Sequence, residues 1–217
     1  MLDGGKGDQK FFQTFDAPQL AQAQAQRGKN KEPTLEVTKS GRKNPKQQPS
    51  NAARRILGKI IDAYNDDKYD VALAEIEKLL ANPRINNFDR SKAYQIKSNI
   101  LYGQDDNAGA LEAAKQAIAA DGLSNLEHLE LKLFVAQLHS LLEQPKEAIA
   151  AWNDWAVDAP SINGDQYALQ AQNYYEAEDF AKAIEFIDKA IAAGPAAGAR
   201  TSRASAACGR RSGRRSR

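Results

Sequence analysis

The stretch Phe180-Ala-Lys-Ala-Ile-Glu-Phe-Ile187 is the last of four related segments that decide how the chain folds. In each segment an alanine followed by leucine or isoleucine comes just after a polar turn. The four alanines lie 38, 38 and 35 residues apart, at Ala72, Ala110, Ala148 and Ala183. A period of this length is typical of stacked helical repeats, which bury a continuous core only when neighbouring units pack together.

The apolar residues recur with a helical period from Asn51 onward and predict eight helices. Acidic or amide-rich turns divide the helices of a pair, and Pro83, Gly122, Pro160 and Pro195 mark the ends of the pairs. The sequence therefore predicts an all-α protein. The expected helices are 51–65, 69–81, 89–103, 107–120, 126–142, 145–158, 164–177 and 180–193.

The four units resemble tetratricopeptide repeats. If the anchor alanine is unit position 20, the aromatic residue expected three residues earlier is present as Tyr69 and Phe180. The terminal proline expected twelve residues later is present as Pro160 and Pro195. The resemblance covers residues 51–195 and implies a right-handed superhelical solenoid of about four helix pairs. In this family the first helix of each pair lines a concave groove.

The resemblance also assigns groove positions to particular side chains of the first helices. Tyrosine rings supply contact area and amides pair with peptide N–H and C=O groups, so this set suits an extended peptide or a protein partner. The alternative is that the tyrosines only seal helix junctions. No small-molecule substrate is expected. The predicted groove residues are Tyr64, Gln95, Asn99, Tyr102, Gln137, Ser140, Gln172 and Tyr175.

Charge divides the chain into three segments. Residues 1–50 carry 9 Lys/Arg against 5 Asp/Glu, giving +4, and are predicted to be a disordered polar leader and linker. Residues 51–195 carry 14 against 23, giving −9. An acidic repeat region argues on electrostatic grounds against nucleic-acid binding there, since phosphate recognition needs a basic face.

Residues 196–217 carry seven Arg, no acidic residue and no Leu, Ile, Val, Phe or Tyr, so they are predicted to be disordered. One interpretation is a frameshift, because out-of-frame GC-rich coding sequence has this composition. The other is a genuine basic arm, which would make the protein an adaptor for nucleic acid or anionic membrane.

Motifs for catalysis or metal binding were not found. His128 and His139 are eleven residues apart with no ligand at metal-binding spacing, and His139 is expected in the core. Trp152 and Trp155 share a helix face and are expected in the core as well. The lone Cys208 allows no intrachain disulfide. The sequence predicts no cofactor, no metal and no enzymatic activity.

A narrower resemblance is to the tetratricopeptide proteins of bacterial TonB-system gene clusters. It rests on Ala148-Ile-Ala-Ala-Trp-Asn-Asp-Trp155, Gly164-Asp-Gln-Tyr-Ala-Leu169 and Asp179-Phe-Ala-Lys-Ala-Ile184. This resemblance implies a periplasmic component of outer-membrane transport. The start of the sequence has no apolar signal segment and on its own predicts the cytoplasm.

The last predicted helix has a second apolar side. Phe180, Ile184, Ile187 and Ile191 recur at helical spacing, and the residues after Gly194 have no large aliphatic side chain to cover them. A repeat array that ends without a polar cap exposes such a flank. We therefore expect self-association through the C-terminal helix pair.

Overall fold

The computed structural model of the chain describes residues 35–194. They contain one isolated β-bridge, between Val37 and Lys43, and no strand, so the all-α prediction is confirmed. The first helix begins three residues later than predicted, because Ala53 and Arg54 donate their N–H groups to the Ser50 carbonyl in a turn. The helices are α1 Arg54–Asn65, α2 Tyr69–Leu80, α3 Asn87–Gly103, α4 Asn107–Ala119, α5 Asn125–Leu141, α6 Pro145–Asp158, α7 Gly164–Glu176 and α8 Phe180–Ala193.

The described residues divide into two compact units. The first contains residues 35–37 and 43–126, and therefore α1 to α4. The second contains residues 38–42 and 127–194, and therefore nearly all of α5 with α6 to α8. Most of the predicted leader and the tail 196–217 lie outside the described residues. No helix within residues 35–194 is long and apolar enough to cross a membrane.

In the first unit the core lies between two helix pairs, α1/α2 and α3/α4. Leu57 and Ile60 of α1 pack with Ile76 of α2 and Ile100 of α3. The anchor residues Ala72 and Ala110 are fully buried, as expected of small side chains where helix backbones approach closely.

In the second unit aromatic rings fill the core. Trp152 and Trp155 are both buried, which confirms the prediction, and their ring centroids lie 5.6 Å apart. Phe186 of α8 meets Trp152 edge to face at 5.5 Å and Tyr174 of α7 at 5.2 Å. Edge-to-face and tilted contacts of this kind suit the ring quadrupoles, so the four rings stabilise the packing of α6, α7 and α8.

The same backbone motif links the two helices of every pair. Two residues after α1, α3, α5 and α7 end, an acidic residue has a positive φ of 55° to 62°. The next amide donates to the carbonyl five residues earlier, at 2.8 to 2.9 Å, as in a Schellman cap. Glycine is usual at this position because a Cβ is strained there. The acidic residues are Asp67, Asp105, Glu143 and Glu178.

Leu35 and residues 43–50 contact Asn125 and α3 within the first unit, and this corrects the prediction that the disordered leader and linker extend to residue 50. The Asn125 backbone N–H donates to Asn44 Oδ1 at 2.8 Å, and the Asn125 side chain donates to the Leu35 carbonyl at 2.7 Å. The Ser50 N–H lies 3.2 Å from Asp89 Oδ1, and Asp89 is fully buried. Its carboxylate also caps α3 through the Asn86 N–H at 3.0 Å.

Residues 38–42 form a turn that belongs to the second unit. Asp158, at the end of α6, accepts hydrogen bonds from the Ser40 N–H at 2.6 Å and the Ser40 hydroxyl at 2.7 Å. Lys39 Nζ donates to the Ala159 carbonyl at 2.6 Å. Burial alone would raise the pKa of Asp158, but the hydrogen bonds from Ser40 hold it below its ordinary value.

Two buried serines tie α3 to α4. Ser98 Oγ donates to the carbonyl of the anchor Ala110 at 2.7 Å. Ser91 Oγ donates to the Ala117 carbonyl at 3.0 Å and accepts the Gly122 N–H at 2.8 Å. Gly122 stands where the repeat pattern has proline, and a Cβ there would clash with the Asn87 carbonyl oxygen. The close approach of two backbone segments therefore explains this departure from the repeat.

Ser91→Ala should destabilise the protein more than Ser98→Ala. The first change leaves the buried Gly122 N–H without its acceptor, at a cost of about 2–3 kcal/mol. The second removes a donor from a carbonyl that also serves the α4 helix, at a cost of about 1 kcal/mol. Urea denaturation followed by circular dichroism measures both. Equal losses would contradict the assigned role of Ser91.

Glu143→Gly should stabilise the protein. The change removes a Cβ from a left-handed residue, and the gain should be up to about 1 kcal/mol after the entropic cost of glycine. The matched control is Glu112→Gly, which lies inside α4 with helical geometry and should destabilise by about 1 kcal/mol. Opposite signs in urea denaturation are expected. Destabilisation by both changes would show that the turn is unstrained.

Asp158→Asn should weaken the attachment of residues 38–42 at neutral pH. Because the folded pKa of Asp158 is lowered, its stabilisation is present above the ordinary value of 3.8 and is lost as pH falls through the folded pKa. We expect the variant to be less stable by about 1 kcal/mol at pH 7, because charge-assisted bonds become neutral ones. The difference should shrink below pH ~3.5, near where an aspartate protonates. A difference independent of pH would contradict this role of the carboxylate.

Candidate functional site

In the first unit, Tyr64 and Tyr102 occupy the same position on two first helices, α1 and α3, which contact each other. Both side chains are half-buried. Each lies three residues before a left-handed aspartate, and its carbonyl accepts that aspartate's N–H at 3.1 to 3.2 Å. Burial, with a further contribution from Asp67 or Asp105, raises the pKa of both phenols. The hydroxyls therefore remain protonated at neutral pH and keep both donor and acceptor capacity.

Two amides accompany Tyr102 on α3. Gln95, Asn99 and Tyr102 follow one another at spacings of four and three, which places them on one helix face. Asn99 is half-buried, whereas Gln95 is 9% exposed and accepts a hydrogen bond from Lys92 Nζ at 2.9 Å. Four predicted groove residues thus lie on the two contacting first helices of this unit, and Gln95 is the least accessible of them.

In the second unit, Gln137 of α5 is half-buried, but Ser140 is buried. The Ser140 hydroxyl lies 2.6 Å from Asn173 Oδ1 of α7 and 3.1 Å from the Ala136 carbonyl. Ser140 therefore links two first helices instead of offering a polar group to a ligand. The assignment of Ser140 to a groove is corrected on this ground.

Sequence reasoning missed the buried polar network of which Ser140 is a part. Asn173 and Gln170 are both fully buried on α7. The Gln170 amide donates to Asn153 Oδ1 of α6 at 3.2 Å. Buried amides are costly unless they are hydrogen-bonded, so this network fixes how α5, α6 and α7 fit together. The only sign of this network in the sequence is a polar residue at a helix position that faces inward. The repeat pattern does not distinguish such a residue from a polar residue that faces solvent.

The remaining predicted residues, Gln172 and Tyr175, lie on α7. The Gln172 amide donates to Glu176 Oε1 at 2.8 Å on the exposed side of the helix. Tyr175 is 64% exposed, and its ring meets Phe180 at 5.6 Å, close to edge to face. Tyr175 therefore stands beside the apolar side of α8, in surroundings unlike those of Tyr64 and Tyr102.

The histidines and acidic residues of residues 35–194 form no group of three that could hold a metal ion. His139 is buried, as predicted, and its Nδ1 lies 2.7 Å from Gln144 Oε1. The aspartates of the inter-helix turns serve backbone geometry, and Asp106 also caps α4 by accepting the Gly109 N–H at 2.8 Å. His139 and these turn aspartates therefore have structural roles.

No protein-family model and no curated protein sequence matches the chain. Its structure is similar to a crystal structure of MamA, with 16% sequence identity, a TM-score of 0.52, and coverage of 65% of this chain and 77% of that chain. A second MamA crystal structure has 15% identity and a TM-score of 0.42, over 64% of this chain and 90% of that one. The first likeness, together with the helix pairs described above, shows that the chain has a tetratricopeptide-like helical repeat fold.

Proposed function

We propose that the protein is a non-catalytic scaffold that binds a protein or an extended peptide on the face that the first helices α1 and α3 form in the first unit. The observation that carries this proposal is the matched set on α1 and α3, where Tyr64, Asn99 and Tyr102 are half-buried and partly accessible. Half-buried aromatic and amide side chains can gain contact area and hydrogen bonds when a ligand docks, without unfolding the core.

The chemistry of these side chains suits a peptide backbone. An amide has both donors and acceptors and can pair with peptide N–H and C=O groups, while a tyrosine ring covers apolar side chains beside them. Gln137 and Gln172 are the corresponding amides of the second unit. We retain as proposed binding residues Tyr64, Gln95, Asn99 and Tyr102 in the first unit and, taken separately, Gln137, Gln172 and Tyr175 in the second.

The finer proposal is that the scaffold serves a TonB-dependent outer-membrane transport system and acts in the periplasm. Its support is the sequence resemblance over residues 148–191, which includes Trp152, Trp155 and the Tyr174-Tyr175 pair. The folded region is acidic, with 14 basic and 23 acidic residues between 51 and 195, so nucleic acid is not its expected ligand. The rival class is an adaptor that uses the Arg-rich tail.

A binding experiment on the first unit tests the groove. The double variant Asn99→Ala/Tyr102→Ala should recover at least about tenfold less partner from a Gram-negative envelope fraction, since truncating central contacts costs more than 1 kcal/mol each. The control is Glu112→Ala/Gln116→Ala, which removes a hydrogen-bonded pair from the exposed side of α4. Unchanged recovery by the first variant would contradict the groove, and enrichment of TonB-system proteins with the wild type would support the finer proposal.

A second experiment separates the scaffold from the tail-based adaptor. The full chain and residues 1–195 are compared for binding to immobilised DNA at several salt concentrations. We expect residues 1–195 not to bind, because neutralising phosphates needs clustered basic side chains. DNA binding by the shortened chain at moderate salt would contradict the argument from its acidic charge.

A further inference from the structure

One side of α8 carries four large apolar side chains that the described residues leave exposed. Phe180, Ile184, Ile187 and Ile191 are 54%, 61%, 48% and 75% exposed. Their spacing of four, three and four residues places them in one line along the helix, and we name this line the α8 stripe. Tyr175 adjoins it through its contact with Phe180.

The equivalent positions of the first pair are covered by a helix. Tyr69, Leu73, Ile76 and Leu80 of α2 stand where the stripe stands on α8, and each is buried or half-buried. They are covered because α3, the first helix of the next pair, packs against α2. Ile76 is 0% exposed, whereas its counterpart Ile187 is 48% exposed.

The third pair repeats this arrangement. Trp152 of α6 is the counterpart of Ile76 and Ile187, and it is 3% exposed because α7 covers it. Its ring lies 6.0 Å from that of Tyr167, and its indole N–H donates to the Gln166 carbonyl at 3.0 Å. The α8 stripe therefore corresponds to the surfaces of α2 and α6, each of which is covered by the first helix of the next pair.

The distribution of exposed apolar side chains indicates which partner can cover the stripe. Five of the nine large apolar side chains that are exposed within residues 35–194 belong to the last pair, and the other four are Val37, Ile61, Val71 and Val157, none of them part of such a line. Within residues 35–194, the stripe is thus the only apolar area of its kind. A surface complementary to itself favours an isologous contact between two copies.

The charges of α8 itself do not oppose such a contact. Within α8, Lys182 and Lys189 balance Glu185 and Asp188, so the helix is neutral. Lys182 and Lys189 both pair with Glu185, at 2.8 and 2.7 Å, and helical spacing places this set on the side of α8 away from the stripe. The other acidic residues of the last pair lie outside α8, at Asp165, Glu176, Glu178 and Asp179.

From these observations we propose that a second copy of this chain docks on the α8 stripe, so that the protein forms a symmetric dimer through its last helix pair. The partner surface is the same apolar helix face, about three turns long, on the second copy. None of the four stripe residues is among the proposed binding residues of α1 and α3, so the stripe variants and the Asn99→Ala/Tyr102→Ala variant test different ideas.

Sedimentation equilibrium of the full chain, with a reductant so that Cys208 cannot cross-link, tests the proposal. The wild type should be a dimer at micromolar concentration. Ile184→Lys and Ile187→Lys should each raise the dimer dissociation constant by about 30-fold or more, because each places a charge at the centre of an apolar contact. The control Val71→Lys changes an apolar residue of similar exposure on α2 and should leave the constant unchanged. Circular dichroism should show intact helices in all three, since the replaced side chains are exposed.

Three results would overturn the proposal. One is a wild type that stays monomeric at all concentrations. If replacing Phe11, Phe12 and Phe15 by Ser then allowed dimers, the N-terminal segment would be what covers the stripe, and the proposal would be overturned in that case too. Another is a dimer that Ile184→Lys and Ile187→Lys leave intact. The third is open-ended polymers in place of a closed dimer, because an isologous contact uses up both stripes.

Discussion

The structure depends on a close approach of helix backbones that only a small side chain permits. Ala72, Ala110 and Ala148 are fully buried and Ala183 nearly so, one in each helix pair. At this separation a short side chain of one helix can reach the backbone of the next, as Ser98 Oγ does when it donates to the Ala110 carbonyl at 2.7 Å. A larger residue at an anchor would force the helices apart, and overpacking of this kind is itself destabilising. The repeat therefore depends on anchor positions that exclude large side chains.

The helices could be predicted from the sequence because several local signals agree. Apolar spacing, the anchor alanines and the turn residues all point to the same boundaries, and consistency of this kind is what specifies a fold. Asn86 and Asn163 add reciprocal capping boxes with Asp89 and Gln166 at the starts of α3 and α7. The position of residues 35–50 could not be predicted, because their contacts are a few hydrogen bonds of polar groups, such as Asn44 Oδ1 with the Asn125 N–H and Ser40 with Asp158. Such bonds leave no periodic trace in a sequence.

The candidate site was predictable in part for a related reason. Position within the repeat indicates which helix a residue occupies, as for Asn99 and Tyr102 on α3. Position alone does not reveal what stands opposite on the neighbouring helix. Ser140 is buried because Asn173 of α7 lies 2.6 Å from its hydroxyl, and both residues are polar. A hydrophobicity pattern therefore predicts that both residues face solvent, although inside the second unit they form a hydrogen bond with each other.

The hydrogen bonds of Ser91 have a consequence for the dynamics of the first unit. Through one hydroxyl, α3 is linked to the last turn of α4 and to the Gly122 amide, which lies beyond that helix. Exchange of this amide with solvent deuterium requires the hydroxyl to move away, and the hydroxyl cannot do so while α3 and α4 remain packed. A connecting segment is thereby made part of the cooperative unit formed by its two helices, and its slowest-exchanging amide would report the opening free energy of the whole pair.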